Sequence, residues 1–232
     1  MNPALNYWDQ YYESHQESEE GSSSELEPTP FLKQMRERLP VGKVLEIAMG
    51  TGTNAVYLAQ QGYQVKGFDL SFVATQRALA LAHRMGVSLE AKSVDLDLFL
   101  FGLFEYDVIL MTYFKPSVER YYSEIIRSLK QGGMLLVESF LVEEKKEVLG
   151  SSEAYRDCYF HSNELLRHLR GLRILFYQEA QIEGRYVVQC LAQKPIDKDA
   201  QKYDFFNLHA GASKDTAKNS QRELAESLFK KK

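Results

Sequence analysis

Short apolar segments alternate with longer segments of helical periodicity along this chain, and this alternation limits its fold more than any other feature. Segments 43–48, 64–68, 87–94, 106–111 and 134–139 are rich in Val, Ile, Leu and Phe and are predicted strands. Three amphipathic helices are predicted between them, at 54–61, 72–85 and 118–129. The pattern predicts a parallel sheet whose strands are joined by crossover helices.

The last two predicted strands follow a different rule. They cover 172–179 and 186–193, after a short predicted helix at 162–169, and only residues 180–185 separate them. Because so short a link cannot make a parallel crossover, the two strands must form an antiparallel hairpin. The predicted fold class is α/β: a Rossmann-like, seven-stranded, mostly parallel sheet with a C-terminal antiparallel hairpin and helices on both faces.

The segments outside the sheet differ in composition. Residues 13–28 are dense in Glu, Ser and Gly, which predicts a loop without a packed core. Four aromatic side chains crowd into residues 7–12, and they form either a lid over a pocket or a helix face packed on the domain. The predicted organisation is an N-terminal cap or lid with a lead-in helix at 1–40, a catalytic domain at 41–194, and a polar tail at 195–232.

Composition narrows the class of protein. The net charge of −4 gives no overall attraction for nucleic acid or anionic membranes, and no segment is long and apolar enough to span a bilayer. The N-terminus lacks the features of a signal peptide. Cys158 and Cys190 fit neither a disulfide framework nor a metal site. We expect a cytoplasmic enzyme with a small-molecule substrate and no metal, nucleic-acid or membrane partner, and its oligomeric state stays open.

A glycine turn follows the first predicted strand. Gly50 and Gly52 come directly after Ala48 and Met49, and a helix begins near Asn54. Glycine lets the backbone approach a ligand closely, and the start of a helix offers free amide groups to polar or anionic atoms. The turn predicts a nucleotide-type binding site.

Two carboxylates follow the next two strands. Asp69 ends the second strand, where an acid can accept hydrogen bonds from both hydroxyls of a ribose. Asp95 follows the third strand and is the candidate partner of an adenine amine. The simpler alternatives are a helix cap for Asp69 and a turn residue for Asp95.

Glu46 decides between two cofactor classes. The spacing from Gly50 through Gly52 to Ala55 also fits the dinucleotide fingerprint, so glycine spacing alone favours neither class. Glu46 lies four residues before Gly50 at the end of a buried strand, where its charge would oppose a pyrophosphate but favour an ammonium or sulfonium. The sequence therefore favours S-adenosylmethionine (SAM) over NAD.

These motifs together resemble class I SAM-dependent methyltransferases. The resemblance rests on Glu46-x-Ala48-x-Gly50-x-Gly52, Asp69, Asp95, segment 105–110 and Leu129-Lys130-x-Gly132-Gly133, and it covers about 41–194. Within that superfamily, segment 54–65 and the leading Trp8-Asp9-x-x-Tyr12 resemble the tellurite-resistance and thiopurine methyltransferase-like group.

The resemblance implies a role for each matched residue. It places Glu46, Ala48, Gly50 and Gly52 around the methionine part of SAM, Asp69 and the adjoining Leu70 at the ribose, Asp95 and Leu96 beside adenine, and Met111, Thr112 and Tyr113 beside the sulfonium. Two positions depart from the group: Ala48 replaces a common glycine, and Thr53 replaces a common arginine. Alanine fits position 48 if its backbone lies in the β region.

The reaction that the resemblance implies is in-line methyl transfer to a small molecule through a sulfur, nitrogen, oxygen or metalloid nucleophile. A soft nucleophile needs only positioning, whereas a hydroxyl needs help from Tyr113, His161 or a carboxylate. Glu138 lies inside the fifth predicted strand and either reaches the pocket or pairs internally. Tyr113 and His161 are therefore the candidate catalytic residues, with a surface position as the alternative for His161. A nicotinamide-dependent oxidoreductase and a catalytically silent SAM-binding module are the rival functions. The acceptor itself stays open.

Overall fold

The computed structural model describes residues 3–14, 27–142 and 159–196. The chain divides into two units at residue 195, and the second unit lies outside the described residues except for Ile196. Cys158 also lies outside them. Among the helices that are described, none is both long and apolar enough to cross a lipid bilayer.

The described residues of the first unit form eight strands and six α-helices. The strands are β1 (Lys43–Ile47), β2 (Gln64–Asp69), β3 (Glu90–Ser93), β4 (Tyr106–Thr112), β5 (Leu129–Leu141), β6 (Tyr159–Phe160), β7 (Arg173–Ile182) and β8 (Arg185–Gln193). The helices are α1 (Pro3–Ser14), α2 (Pro30–Met35), α3 (Thr53–Gln60), α4 (Phe72–Arg84), α5 (Arg120–Ser128) and α6 (Glu164–His168). Single 3₁₀ turns follow α2 and β3, at Arg36–Arg38 and Leu96–Leu98.

All the strands belong to one sheet, in the order β3-β2-β1-β4-β5-β8-β7, with β6 pairing alongside the end of β5. The strands from β1 to β6 pair in parallel, whereas β8 runs antiparallel to both β5 and β7. The predicted fold class is confirmed, and the two-residue strand β6 is the addition that sequence periodicity did not predict.

Alternate side chains of the central strands enter two separate core layers. In β1, Val44 packs with Phe31 of α2 and Leu58 of α3 on one face, while Leu45 packs with Ile125 of α5 on the other. A strand that is buried on both faces has a nearly continuous apolar sequence, and for this reason β1 and β4 could be predicted from the sequence. Both faces of the sheet are therefore covered by helices.

Chain order reverses around β1, because β2 and β3 lie on one side of it and β4 and β5 on the other. In open α/β sheets, a crevice forms beyond the carboxyl ends of the strands at such a reversal. The topology thus selects the segments after β1, β2 and β4 as the walls of a binding site.

The end of helix α1 differs from the prediction. Helix α1 continues through Glu13 and Ser14, so the predicted loop at 13–28 does not begin at residue 13. Residues 15–26 lie outside the described residues. Asp9 on α1 accepts hydrogen bonds from Ser71 Oγ (2.6 Å) and Val73 N (3.3 Å), which anchors α1 to the start of α4.

Candidate functional site

A cavity of about 640 Å³ opens beyond the carboxyl ends of β1, β2 and β4. Its volume is within the range of small-molecule sites, about 300–1,000 Å³. The walls come from the segments that follow β1 to β4 and from the N-terminal region. Its lining residues of interest are Trp8, Tyr12, Ala48, Gly50, Asn54, Asp69, Leu70, Asp95, Leu96, Thr112, Tyr113 and Lys115.

The glycine turn forms the floor of this cavity, and it has no room for larger residues. Gly50 and Gly52 both have positive φ, at 55° and 80°. A Cβ at Gly52 would lie 2.6 Å from the Cβ of Ala78 on α4, closer than two carbon atoms can approach. A Cβ at Gly50 would lie 3.0 Å from Tyr12 Oη on α1. Glycine at these positions therefore allows α3 to pack against α4 and α1 to approach the turn.

Ala48 does not meet the condition under which alanine fits this position without strain. Its φ is +54°, in the left-handed region and outside the β region. The left-handed conformation costs an alanine about 1–2 kcal/mol because its Cβ crowds the following carbonyl oxygen. The glycine that the related group commonly has here would avoid this strain.

Replacing Ala48 with glycine is expected to stabilise the protein by about 0.5–1 kcal/mol. The relief of left-handed strain exceeds the added entropy of glycine in the unfolded chain, about 0.4–1 kcal/mol. Urea unfolding measures the difference. The control is Ala59→Gly in α3, where the backbone is helical and glycine should cost about 1 kcal/mol. Destabilisation by both substitutions would contradict the strain at Ala48.

Asp69 lies at the cavity wall with both carboxylate oxygens engaged. Its Oδ2 accepts from Gly50 N at 2.8 Å, and its Oδ1 accepts from Ser71 N at 2.9 Å. Only 6% of the residue is exposed, and this burial raises the pKa of its carboxyl group. The cap of α4 is Ser71, whose hydroxyl accepts from Ala74 N, so Asp69 is free of the simpler role of helix cap.

Asp95 lies across the cavity after β3. Its Oδ1 accepts from Asp97 N at 3.0 Å and begins the 3₁₀ turn, so the turn role is present. Asp95 also lines the cavity, together with Leu96 and, after β2, Leu70. The structure thus brings the predicted ribose and adenine residues to the same cavity.

Glu46 lies one layer behind the cavity wall. It is fully buried and does not line the cavity, and its Oε1 accepts from Asn54 Nδ2 at 3.1 Å and from Thr112 Oγ1 at 3.4 Å. Its Oε2 has no hydrogen-bond partner within the described part of the chain. Burial raises the pKa of Glu46 to about 7 against the smaller, opposite effects of the hydrogen bonds from Asn54, Thr112 and the backbone of Ala55. Any influence of Glu46 on a ligand therefore passes through Asn54, Thr112 and its own charge.

Asn54 is a site residue that the sequence did not single out. Besides its bond to Glu46, its Nδ2 donates to Thr112 Oγ1 at 3.1 Å, and its Oδ1 accepts from Thr29 N at 2.9 Å. Asn54 therefore joins the N-terminal segment to the ends of β1 and β4. The only sequence signal was its place in the first turn of the helix after the glycine turn.

Tyr113 lines the cavity in a strained conformation. Its φ is +53°, which is uncommon outside glycine and is a feature concentrated at functional sites. Its hydroxyl donates to Glu138 Oε1 at 2.6 Å, its backbone N donates to Glu138 O at 2.7 Å, and its ring stacks on Phe140. Burial, and then the bond to Glu138, raise the pKa of the Tyr113 hydroxyl, so it is a neutral phenol.

Of the predicted site residues, Glu46 and Gly52 do not line the cavity, and neither do His161 and Met111. His161 is exposed at the start of the α6 segment, where its backbone N donates to Glu164 Oε2, and it does not line the cavity. Met111 is fully buried in the core layer below the sheet. Tyr113 lines the cavity directly after β4. Met111 lies inside β4, one residue before the cavity-lining Thr112, and it enters the core because successive side chains of a strand point to opposite faces.

The aromatic residues of α1 fulfil both predicted alternatives. Trp8 and Tyr12 line the cavity, and the helix also packs on the domain through Asp9. Trp8 contacts the rings of both Tyr11 and Tyr12, with centroids 5.5 and 6.2 Å away. The aromatic cluster thus covers one side of the cavity.

Residues 44–133 match the family described as Methyltransferase domain. This segment is a methyltransferase domain. This domain spans β1 to the start of β5, and so it includes the glycine turn, Asp69, Asp95 and Tyr113. SAM is the cofactor of this class of domain, in agreement with the sequence prediction. No curated protein sequence matches the chain.

Solved structures share the fold of the methyltransferase domain at low sequence identity. The [4+2]-cyclase SpnF matches with a TM-score of 0.60 and 20% identity over 71% of this chain and 79% of its own. TehB from Haemophilus influenzae matches with a TM-score of 0.59 and 18% identity, covering 82% of this chain and 67% of TehB. A Burkholderia thailandensis 1,6-didemethyltoxoflavin-N1-methyltransferase matches with a TM-score of 0.58 and 21% identity, covering 72% and 77%.

Proposed function

We propose that the protein transfers the methyl group of SAM to a small-molecule acceptor by in-line displacement. The observation that supports this most directly is the meeting of the glycine turn, Asp69 and Asp95 around one cavity. The acceptor atom is sulfur, nitrogen, oxygen or a metalloid. The fold shared with TehB and the residue pattern of α3 support a place in the tellurite-resistance and thiopurine methyltransferase-like group.

The residues around the cavity fit SAM. Asp69 uses one lone pair on each carboxylate oxygen internally, and the remaining lone pairs are available to the two ribose hydroxyls. Asp95 and Leu96 offer an acceptor and an apolar surface to adenine. The side-chain-free glycine turn receives the methionine part, and the unpartnered Oε2 of Glu46 behind it favours a ligand that carries positive charge.

SAM supplies an activated methyl group on a positively charged sulfur. The protein orients the acceptor in line with that group and excludes water. Tyr113, with Phe114 and Tyr121, walls the cavity beyond β4, and Trp8 and Tyr12 cover it from α1. In this domain arrangement, residues 1–40 act as the cap, 41–194 as the catalytic domain and 195–232 as a polar tail.

The first test is a calorimetric titration of the protein with SAM and, in parallel, with NADH. We expect saturable SAM binding that weakens about tenfold or more in Asp69→Asn, which replaces one acceptor oxygen with a donor amide. Glu90→Gln is the matched control, because Glu90 lies on β3, pairs with Lys92 and does not line the cavity. Binding of NADH alone, or of neither ligand to folded protein, would reject the proposal.

Turnover separates a methyltransferase from a catalytically silent module. The similar fold of a protein described as a [4+2]-cyclase makes this step necessary, because fold does not determine the reaction. Release of S-adenosylhomocysteine in the presence of thiol, amine and hydroxyl acceptors is the expected result. Tight SAM binding without release of S-adenosylhomocysteine, across all three acceptor classes, would favour the silent module.

A further inference from the structure

A row of hydrogen bonds runs from the edge of the sheet to the cavity. Glu138 on β5 accepts from Tyr113 Oη through Oε1 (2.6 Å) and from Gln189 Nε2 through Oε2 (2.7 Å). Gln189 Oε1 in turn accepts from Gln178 Nε2 at 2.5 Å. Glu138, Gln189 and Gln178 are direct neighbours on β5, β8 and β7, so the sheet register fixes the row.

This row determines the direction of the Tyr113 hydroxyl. A tyrosine has one O–H proton and two oxygen lone pairs. Glu138 is 4% exposed and accepts a hydrogen bond from the Tyr113 hydroxyl, and both carboxylate oxygens of Glu138 are in use. Tyr113 therefore has only lone pairs left to offer to a molecule in the cavity.

The charges of the cavity also favour a ligand that donates hydrogen bonds. Its lining includes the carboxylates of Glu27, Asp69, Asp95 and Asp97, and the one cationic side chain among the described lining residues is Lys115. The ammonium group of Lys115 lies 2.7 Å from Glu164 Oε1 and donates to Tyr159 O at 3.0 Å. Because Lys115 is already paired with Glu164, the described lining residues offer no unpaired cationic side chain to an anionic acceptor.

We propose that Tyr113 is a specificity-determining residue, held by Glu138 as a hydrogen-bond acceptor, and that it selects methyl acceptors with an N–H, O–H or S–H donor. The same arrangement excludes carboxylates and metalloid oxyanions, so it narrows the proposed acceptors to sulfur, nitrogen and oxygen nucleophiles. This inference rests on the proposed function and names the acceptor class of that site. Glu138 is a positioning residue, because it acts through Tyr113.

The test compares the binding of indole and 1-methylindole to the protein saturated with S-adenosylhomocysteine, by ligand-observed NMR titration. The two probes share an aromatic shape that suits the aromatic walls, and only indole has an N–H donor. We expect indole to bind about three- to tenfold more tightly, the range for one neutral hydrogen bond. Tyr113→Phe should reduce this ratio to about one.

Glu138→Gln is a more specific test, because its amide can reverse the direction of the hydrogen bond with the Tyr113 hydroxyl. The new side chain can accept from Gln189 and donate to Tyr113, which frees the Tyr113 proton to point into the cavity. The preference for indole should then disappear while uptake of S-adenosylhomocysteine is retained. A merely structural role for Glu138 would weaken both probes equally and leave their ratio unchanged.

Several outcomes would overturn the inference. These are equal binding of the two probes to the unmodified protein, a ratio that survives Tyr113→Phe, or failure of both probes to bind. Uptake of S-adenosylhomocysteine is measured in the same samples, so each of these outcomes leaves the proposed function standing. Tighter binding of indole-3-acetate than of tryptamine would likewise reject the exclusion of anions.

Discussion

Glu46→Gln is expected to remove a large pH dependence from the stability of the protein. Burial raises the pKa of Glu46 from about 4.5 in the unfolded chain to about 7 in the folded protein. Between these values the folded state binds the additional proton, so the free energy of unfolding falls as the pH rises. The loss amounts to about 3 kcal/mol in total, since each pH unit contributes about 1.4 kcal/mol.

The glutamine variant should behave like the protein with Glu46 protonated at every pH. Its amide oxygen can accept from Asn54 and Thr112 as Oε1 does. Compared with the unmodified protein, it should have similar stability near pH 4.5 and exceed it by up to about 3 kcal/mol at pH 8. The difference between the two free energies of unfolding at each pH isolates the contribution of Glu46 from those of other titrating groups. One of these groups is Asp69, because burial also raises its pKa.

Urea unfolding at four pH values between 4.5 and 8 measures this difference. Glu37→Gln is the matched control, since Glu37 is an exposed residue of the 3₁₀ turn after α2 and its replacement also removes one negative charge. A constant difference between Glu46→Gln and the unmodified protein across the series would mean that Glu46 ionises normally in the folded state.

Gly52→Ala should destabilise the protein far more than Gly62→Ala, although both glycines flank α3 and both have positive φ, at 80° and 87°. Each substitution places an alanine in the left-handed region, at about 1–2 kcal/mol. At Gly62 the new Cβ meets nothing within 4 Å, whereas at Gly52 it would lie 2.6 Å from the Cβ of Ala78. Because overpacking adds to this strain, we expect Gly52→Ala to lower the free energy of unfolding by about 2–4 kcal/mol.

Comparing Gly52→Ala with Gly62→Ala separates the effect of backbone strain from the effect of packing at the glycine turn. Urea unfolding measures the loss of stability in each variant, and calorimetry with SAM measures the change in binding. Gly62→Ala should bind SAM normally, while Gly52→Ala should bind it more weakly because α3 must move away from α4. Equal losses of stability in the two variants would show that the contact between Gly52 and Ala78 has no energetic role.

The fold was predictable because its signals are local. Strands buried on both faces appear as continuous apolar segments, and helices that cover a sheet keep a 3.6-residue period. The hairpin was predicted from a short connection, but its turn is tighter than the predicted 180–185. Glu183 and Gly184 alone make the turn, both with positive φ, and the strands extend to Ile182 and Arg185.

The site was predictable only where it follows strand ends. Asp69 is the last residue of β2, Asp95 lies two residues after β3, and Tyr113 directly follows β4. Parallel strands bring such residues to one edge of the sheet. Contacts that depend on distant segments had no signal of this kind. The bond between Asn54 and Thr29, and the bond between Tyr113 and Glu138, each join residues 25 apart, and the left-handed backbone of Ala48 follows from packing and not from residue type.

Strand β5 pairs with β4 on one side and with β8 on the other, and β8 begins at Arg185, more than forty residues after β5 ends at Leu141. During synthesis from the N-terminus, at about 5–20 residues per second, β5 therefore emerges with one edge unpaired for several seconds. Its inner residues Leu136 and Val137, fully buried in the finished sheet, are exposed at that edge until β8 arrives. The ribosome-bound chain thus passes through a stage at which the open edge of β5 can pair with a neighbouring nascent chain.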